Sequence, residues 1–237
     1  DINNICYLLN HDTTYGWLSE KFSCEKENIL YKGTKIKYIE SNDYTNTNWQ
    51  ELEFDILIDA SGVNRDWIKI KKLCYEFSRL VIVTHHPKDF CGQFVVEGLK
   101  QLSSESRLIS TSICDVVGIA PVLSAINDFK KIKTSSIVSL HPWLSYQNLV
   151  DGSVRSISNP GHSWKDYALG RASTESIIPK ETTIASSLKD LLPNDMKISA
   201  MSFRTPTSIV TSAILHIYFY EEIDFEIVDI IKIFQEE

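Results

Sequence analysis

Apolar positions recur along this chain with two periods. Phe54–Asp59 reads F-D-I-L-I-D and runs into Ala60-Ser61-Gly62. A continuous apolar run ending in small residues predicts a parallel strand buried on both faces. Trp67, Ile70, Leu73 and Phe77 then repeat at helical spacing within Asn64–Phe77, and Leu80–Val83 is a second buried strand closed by Thr84-His85-His86-Pro87. Strand, helix, strand predicts an α/β arrangement with right-handed crossovers. Ligands of such sheets meet the carboxyl ends of the strands, which makes Ala60, Ser61, Gly62 and Thr84 candidate nucleotide-binding residues. Upstream, Ile5–Leu9 predicts a helix ending near His11-Asp12, with a turn at Thr14-Tyr15-Gly16. Asn28–Glu40 alternates on both sides of Lys32-Gly33-Thr34, the pattern of a β-hairpin.

The texture changes at Cys114. Arg107–Ile113 reads as a short strand, whereas Ile119, Val122, Leu123 and Ile126 recur at helical spacing, with Pro121 expected in about the first turn. A thiol at a helix N-terminus meets orphan N–H groups and the positive end of the helix dipole, and both favour the nucleophilic thiolate. Taken alone, a single cysteine is more often a buried structural residue. Beyond it, Ser135–His141 reads as a strand, and Trp143–Tyr167 is a long Ser- and Gly-containing stretch turning at Asn159-Pro160-Gly161. Ala185–Leu192 predicts a helix, Ile198–Phe203 and Ile209–Tyr220 are β-rich, and Phe225–Phe234 closes the chain as an amphipathic helix. The expected fold is α/β: an incomplete doubly wound, Rossmann-like sheet over residues 1–114, then an α+β domain with a mostly antiparallel sheet over residues 115–237.

Composition narrows the function. The 237 residues are 43% hydrophobic and 23% charged with a net charge of -7, and no basic stripe stands out, which disfavours nucleic-acid binding. No apolar run approaches the roughly 20 residues needed to span a bilayer. The start D-I-N-N-I-C-Y lacks the layout of a secretory signal. The five cysteines (Cys6, Cys24, Cys74, Cys91, Cys114) form an odd set without C-x-x-C spacing. That pattern predicts reduced thiols in a cytoplasm, with no disulfide framework and no metal site. The adjacent His85 and His86 have no further ligands near them in sequence and read as structural.

Several blocks together resemble phosphorylating glyceraldehyde-3-phosphate dehydrogenases and their erythrose-4-phosphate dehydrogenase relatives. They are S-I-C…P at Ser112–Pro121, V-S-L-H-P-W-L-S-Y-Q at Val138–Gln147, V-D-G at Val150–Gly152, K-D-Y-A-L-G-R-A-S-T-E-S-I-I-P at Lys165–Pro179 and M-S-F-R-T-P-T at Met201–Thr207. The resemblance implies oxidation of a small phosphorylated aldehyde with NAD as cofactor. Cys114 would attack the aldehyde, and His141 would activate the thiol and take the hydroxyl proton. Arg204 would bind phosphate, with Thr182 and Thr183 in an anion loop. Inorganic phosphate would cleave the resulting thioester, and the family's homo-oligomer, a tetramer, would be the assembly.

Departures from the family pattern keep a second reading open. Where the family shows S-C-T-T-N-C, this chain has I-C-D-V-V-G, so Ile113 replaces a phosphate-contacting serine and Asp115 a threonine. Leu144 and Tyr146 replace polar residues after the histidine, and Thr183 stands at a glycine position. The stretch from Gly152 to Lys165 is longer than in the family. No G-x-G-x-x-G occurs, and the family's nicotinamide-orienting C-terminal helix does not follow Glu237; the chain reads as the middle of a family member. The alternatives are an enzyme whose thioester is resolved by phosphate or by water, and a catalytically impaired paralogue retained as a binding or regulatory module.

Overall fold

The computed structural model describes residues 1–41, 47–52, 54–62, 66–77, 80–99, 103, 105–143 and 174–235. The expectations for Asp43–Trp49 in part, for Leu144, Tyr146 and the Gly152–Lys165 stretch lie outside those residues. The chain divides into two compact units, Asp1–Leu52 and Glu53–Glu237.

In the first unit, helix α1 (Ile2–Asn10) starts where the Asp1 carboxylate accepts from the Asn3 N–H at 2.9 Å, an N-cap. Strands β1 (His11–Asp12) and β2 (Gly16–Trp17) pair across the expected turn, where Asp12 Oδ1 accepts from the N–H groups of Thr14 and Tyr15. Strands β3 (Ser23–Glu25), β4 (Asn28–Tyr31) and β5 (Thr34–Lys37) form an antiparallel sheet. The β4–β5 hairpin turns through Lys32 and Gly33 at φ +48° and +77°, the two left-handed residues of a tight two-residue turn. Cys6 on α1 and Cys24 on β3 are joined as a disulfide. This corrects the expectation of reduced thiols throughout. The residues lie 18 apart in sequence, and only the packing of α1 on β3 brings their Cα atoms to 6.7 Å.

In the second unit, strands β6 (Ile56–Asp59), β7 (Leu80–Val83), β8 (Gln93–Phe94) and β9 (Leu108–Ser110) form a parallel sheet in the order β6-β7-β9-β8. Helix α2 (Trp67–Phe77) makes the crossover from β6 to β7. The expectation that β6 is buried on both faces fails: Ile56 and Ile58 are 53% and 60% exposed. Ile56 and Ile58 alternate with the half-buried Leu57 and Asp59, so one face of the strand is uncovered, and a local run of apolar residues does not encode which faces are covered. The interior strand β7 does carry the buried Val81 and Val83.

Helix α3 (Cys114–Phe129) follows β9 and buries Val116, Ile119, Ala120, Leu123 and Ile126, one helical stripe. Pro121 sits two turns inside it rather than near the start, at the cost of one backbone hydrogen bond. The Asn127 carboxamide oxygen accepts from the Ile132 N–H at 3.1 Å, turning the chain into strand β10 (Ile132–His141). Strands β11 (Ile178–Lys180), β12 (Lys197–Arg204) and β13 (Ser212–Phe219) join it in a mixed sheet of order β11-β12-β10-β13. Here β10 and β12 run parallel, and the other two pairings are antiparallel. Helix α4 (Ile184–Lys189) links β11 to β12, and α5 (Ile227–Ile233) follows β13. Ile137 on β10, Leu123 on α3, and Ile184 and Leu188 on α4 are fully buried in one core between α3, α4 and the sheet.

That core holds the helix carrying Cys114 against the strand carrying His141. Leu123→Ala, which opens a cavity at its centre, is expected to lower unfolding stability by about 2–5 kcal/mol in urea titration. A loss under about 1 kcal/mol would mean that α3 is not packed as described.

Candidate active site

The turn before α3 aims the thiol. Ser112 takes a left-handed backbone at φ +64°, and its N–H donates to Ser110 Oγ at 3.0 Å. Its own hydroxyl lies 3.1 Å from His86 Nδ1. Ile113 then stands at the N-cap with no side-chain cap, and Cys114 and Asp115 open the helix. Cys114 is exposed, whereas Asp115 is buried.

Sheet register assembles the rest. Ser139 and His141 of β10 lie opposite Ser202 and Arg204 of β12. On the other side of β12, Lys180 of β11 lies opposite Ser202. Residues directly opposite share a face, as do alternate residues along a strand. Ser139, His141, Lys180, Ser202 and Arg204 therefore occupy one face, at the end where α3 begins. Ser139, His141, Ser202 and Arg204 are buried.

His141 Nε2 lies 3.0 Å from Asp115 Oδ2 and 3.3 Å from Ser139 Oγ. The Ser139 hydroxyl donates to Ser202 Oγ at 3.1 Å, so its oxygen is free to accept from the ring. Both neighbours are acceptors, which assigns the proton to Nε2. One ligand-type atom from each of Cys114, Asp115 and His141 lies within 4.8 Å of the others. Asp115 Oδ1 is buried and has no hydrogen-bond partner among the described residues.

Two cations face this group. The Arg204 guanidinium donates to the Pro142 carbonyl at 3.4 Å, anchoring it beside His141. Solvent reaches Lys180, yet crowding around its ammonium lowers its pKa from the usual lysine value. The Arg204 charge adds to that lowering, and Asp115 and Cys114 oppose it. Thr182 lines a recess of about 400 Å³ together with Lys180 and Ser202. Its hydroxyl accepts from the Ile184 N–H at 3.2 Å, so it also starts α4. The Thr183 carbonyl accepts from the Ser187 N–H at 2.8 Å within the same helix start.

The four residues expected to meet a nucleotide lie at the carboxyl ends of β6 and β7. The Asp59 carboxylate accepts from the Ser61 N–H at 3.0 Å and the Ser61 hydroxyl at 2.6 Å. Gly62 follows at φ +67°. The Thr84 N–H donates to the Asp59 carbonyl at 3.0 Å. These hydrogen bonds brace the turn after β6 and tie it to the end of β7.

Sequence reasoning missed three contacts. Asp115 was visible as a charge beside Cys114, but not as the partner of His141. Lys180 passed unnoticed, although a lysine two residues before the Thr182-Thr183 pair was a readable signal. His86 stacks on Phe94 and bonds Asp190 Oδ2 through Nε2 at 3.0 Å, holding the end of β7 to the end of α4.

Comparison with known proteins places the chain in a family. Residues 113–237 match the family model for the glyceraldehyde 3-phosphate dehydrogenase C-terminal domain, and residues 1–67 match that of the NAD binding domain. The chain belongs to the glyceraldehyde-3-phosphate dehydrogenase family, whose cofactor is NAD. It is 29% identical over 203 residues to glyceraldehyde-3-phosphate dehydrogenase 2 of Saccharomyces cerevisiae, covering 85% of this chain and 58% of that protein. It is 26% identical over 211 residues to glyceraldehyde-3-phosphate dehydrogenase 1 of Kluyveromyces marxianus, covering 89% of this chain and 61% of that one. The Escherichia fergusonii enzyme is 26% identical over 212 residues, covering 89% and 61%. The chain thus spans about three fifths of the length of these relatives. Among the described residues, no helix is long and apolar enough to cross a membrane.

Two measurements follow. Burial pushes the His86 pKa down, with Asp190 partly opposing. The unfolded chain then binds the proton more readily, so this contribution is full above about pH 6.5 and is lost as pH falls through the lower folded value. Melting temperature should fall on acidification below about pH 6.5, and His86→Gln should flatten that slope; an unchanged slope would remove His86 from the account. Cys91 and Cys114 are both exposed free thiols. Iodoacetamide should label Cys114 faster, and equal rates would remove the case for an activated sulfur.

Proposed function

We propose that this chain carries the aldehyde-oxidising centre of an NAD-linked dehydrogenase that acts on a small phosphorylated aldehyde. The observation that carries this reading is the grouping of the Cys114 sulfur with the Asp115–His141 pair on a sheet face that also bears Arg204 and Lys180. Nucleophile, proton acceptor and anion-binding cations are the parts such a reaction needs.

Cys114 adds to the aldehyde carbon to give a thiohemiacetal in its alkoxide form, from which hydride can leave directly. The thiol proton passes to the Asp115–His141 pair. Because Nε2 already carries a proton, the acceptor in the pair is the Asp115 carboxylate, whose Oδ1 is unpartnered among the described residues. His141 then holds that carboxylate in place through Nε2–H. Arg204 and Lys180 bind the anionic end of the substrate, the guanidinium as a fork and the ammonium as a point charge. Thr182 adds a hydroxyl beside Lys180, and Thr183 supports the same loop through its backbone. Ala60, Ser61, Gly62 and Thr84 would hold the dinucleotide. Bound NAD supplies the hydride acceptor that turns the thiohemiacetal into a thioester. A homo-oligomer fits the apolar outer face of the mixed sheet, where Met201, Ile214 and Tyr218 are exposed.

One observation favours water over inorganic phosphate for resolving the thioester. Asp115 buries a carboxylate beside the sulfur, and Ile113 offers no hydroxyl at the N-cap. Like charge at short range repels phosphate in a low-dielectric site. Once it has released the thiol proton to solvent, the same carboxylate can take a proton from attacking water.

Turnover measured by NADH formation with and without inorganic phosphate tests this. Cys114→Ser should abolish hydride transfer, and Lys180→Met should raise KM for the phosphorylated aldehyde by about tenfold or more, as loss of a charge-assisted hydrogen bond does. Turnover should persist without phosphate; strict phosphate dependence would contradict the hydrolytic reading. Turnover undiminished in Cys114→Ser would contradict the function itself.

A further inference from the structure

We propose that Cys114, Asp115 and His141 form a Zn2+ site whose occupation blocks the nucleophile. Thiolate, carboxylate and imidazole are all zinc ligands, and three protein ligands with an open fourth position make an accessible site rather than a closed structural one. The three ligand atoms lie within 4.8 Å of one another. Tetrahedral zinc with bonds of about 2.0–2.3 Å sets its ligands roughly 3.3–3.8 Å apart. Small side-chain rotations therefore close the site.

Burial gives it direction. The Asp115 and His141 side chains are each only 7% exposed, while the Cys114 sulfur side is open. The ion enters from the sulfur, and a water completes its shell there. A second observation points to a cation independently: Asp115 Oδ1 is buried without a hydrogen-bond partner among the described residues. Buried carboxylate oxygens are normally satisfied, and an orphan one is costly. A metal ion binding Asp115 would remove that cost.

On binding, the Cys114 S–H proton leaves to solvent and a Zn–S bond forms. The imidazole proton moves from Nε2 to Nδ1, so that the Nε2 lone pair faces the metal. The Nε2–H···Oδ2 hydrogen bond is replaced by two metal–ligand bonds, with no change of oxidation state. Lys180 and Arg204 share the sheet face and oppose the cation, so Lys180→Met should tighten binding. Asp115 is the decisive ligand, because it adds a carboxylate where the family pattern has threonine.

Metal binding does not rest on the proposed dehydrogenase activity; only the block of turnover does. The experiment titrates the full 237-residue chain with Co2+ as a spectroscopic stand-in, then displaces it with Zn2+. A thiolate-to-cobalt charge-transfer band should appear at one equivalent and vanish with zinc. Asp115→Asn should weaken Co2+ affinity by about tenfold or more, and Asp115→Thr serves if the asparagine variant fails to fold. Cys114→Ser should lose the band, and Cys91→Ser should keep it. No band, or a band unaltered by substitution of Asp115, would overturn the site. A normal zinc site with no effect on NADH formation would instead count against the proposed function.

Discussion

A single hydrogen bond, from His141 Nε2–H to Asp115 Oδ2, ties the first turn of α3 to the end of β10 beside the Cys114 sulfur. It is formed between two nearly buried side chains, one from the first turn of α3 and one from the last residue of β10. In that setting neither partner is dispensable. Removing one half of a buried charged or polar pair costs about 3–5 kcal/mol, since the other half is left desolvated and unpaired. The bond therefore does two things. It fixes the start of α3 to the sheet, and it places a buried carboxylate beside the Cys114 sulfur.

The rest of the second unit can be understood as the frame for that contact. The α3 stripe of Val116, Ile119, Leu123 and Ile126 buries against the sheet and α4. This packing brings Cys114 over the polar end of a face whose other end is the apolar core. The register of three strands then lines up Lys180, Ser202 and Ser139 in one row and Arg204 and His141 in the next. Charges are thus arranged by backbone pairing, without a dedicated loop. His86 ties the carboxyl end of the parallel sheet to α4 through Asp190, so both halves of the candidate site share one scaffold.

Much of this was legible in the sequence. The α/β pattern, the hairpin at Lys32-Gly33 and the Cys114 helix follow from periodicity and turn chemistry, and Cys114, His141 and Arg204 follow from the resemblance. What escaped depended on long-range geometry. Asp115 and His141 lie 26 residues apart, and His86 and Asp190 lie 104 apart. No local pattern reports such a pairing. The same holds for the uncovered face of β6, which depends on what packs against it, and for the Cys6–Cys24 disulfide, which follows from helix-on-sheet packing. Pro121 was placed too early because the helical stripe does not mark its own first residue.

The contact between Asp115 and His141 can be measured without substrate, cofactor or metal. A double-mutant cycle in urea unfolding, with Asp115→Asn, His141→Gln and the pair together, isolates their coupling. The account predicts that each single change destabilises and that the double change costs less than the sum, by about 1 kcal/mol or more. Additivity within about 0.5 kcal/mol would contradict it.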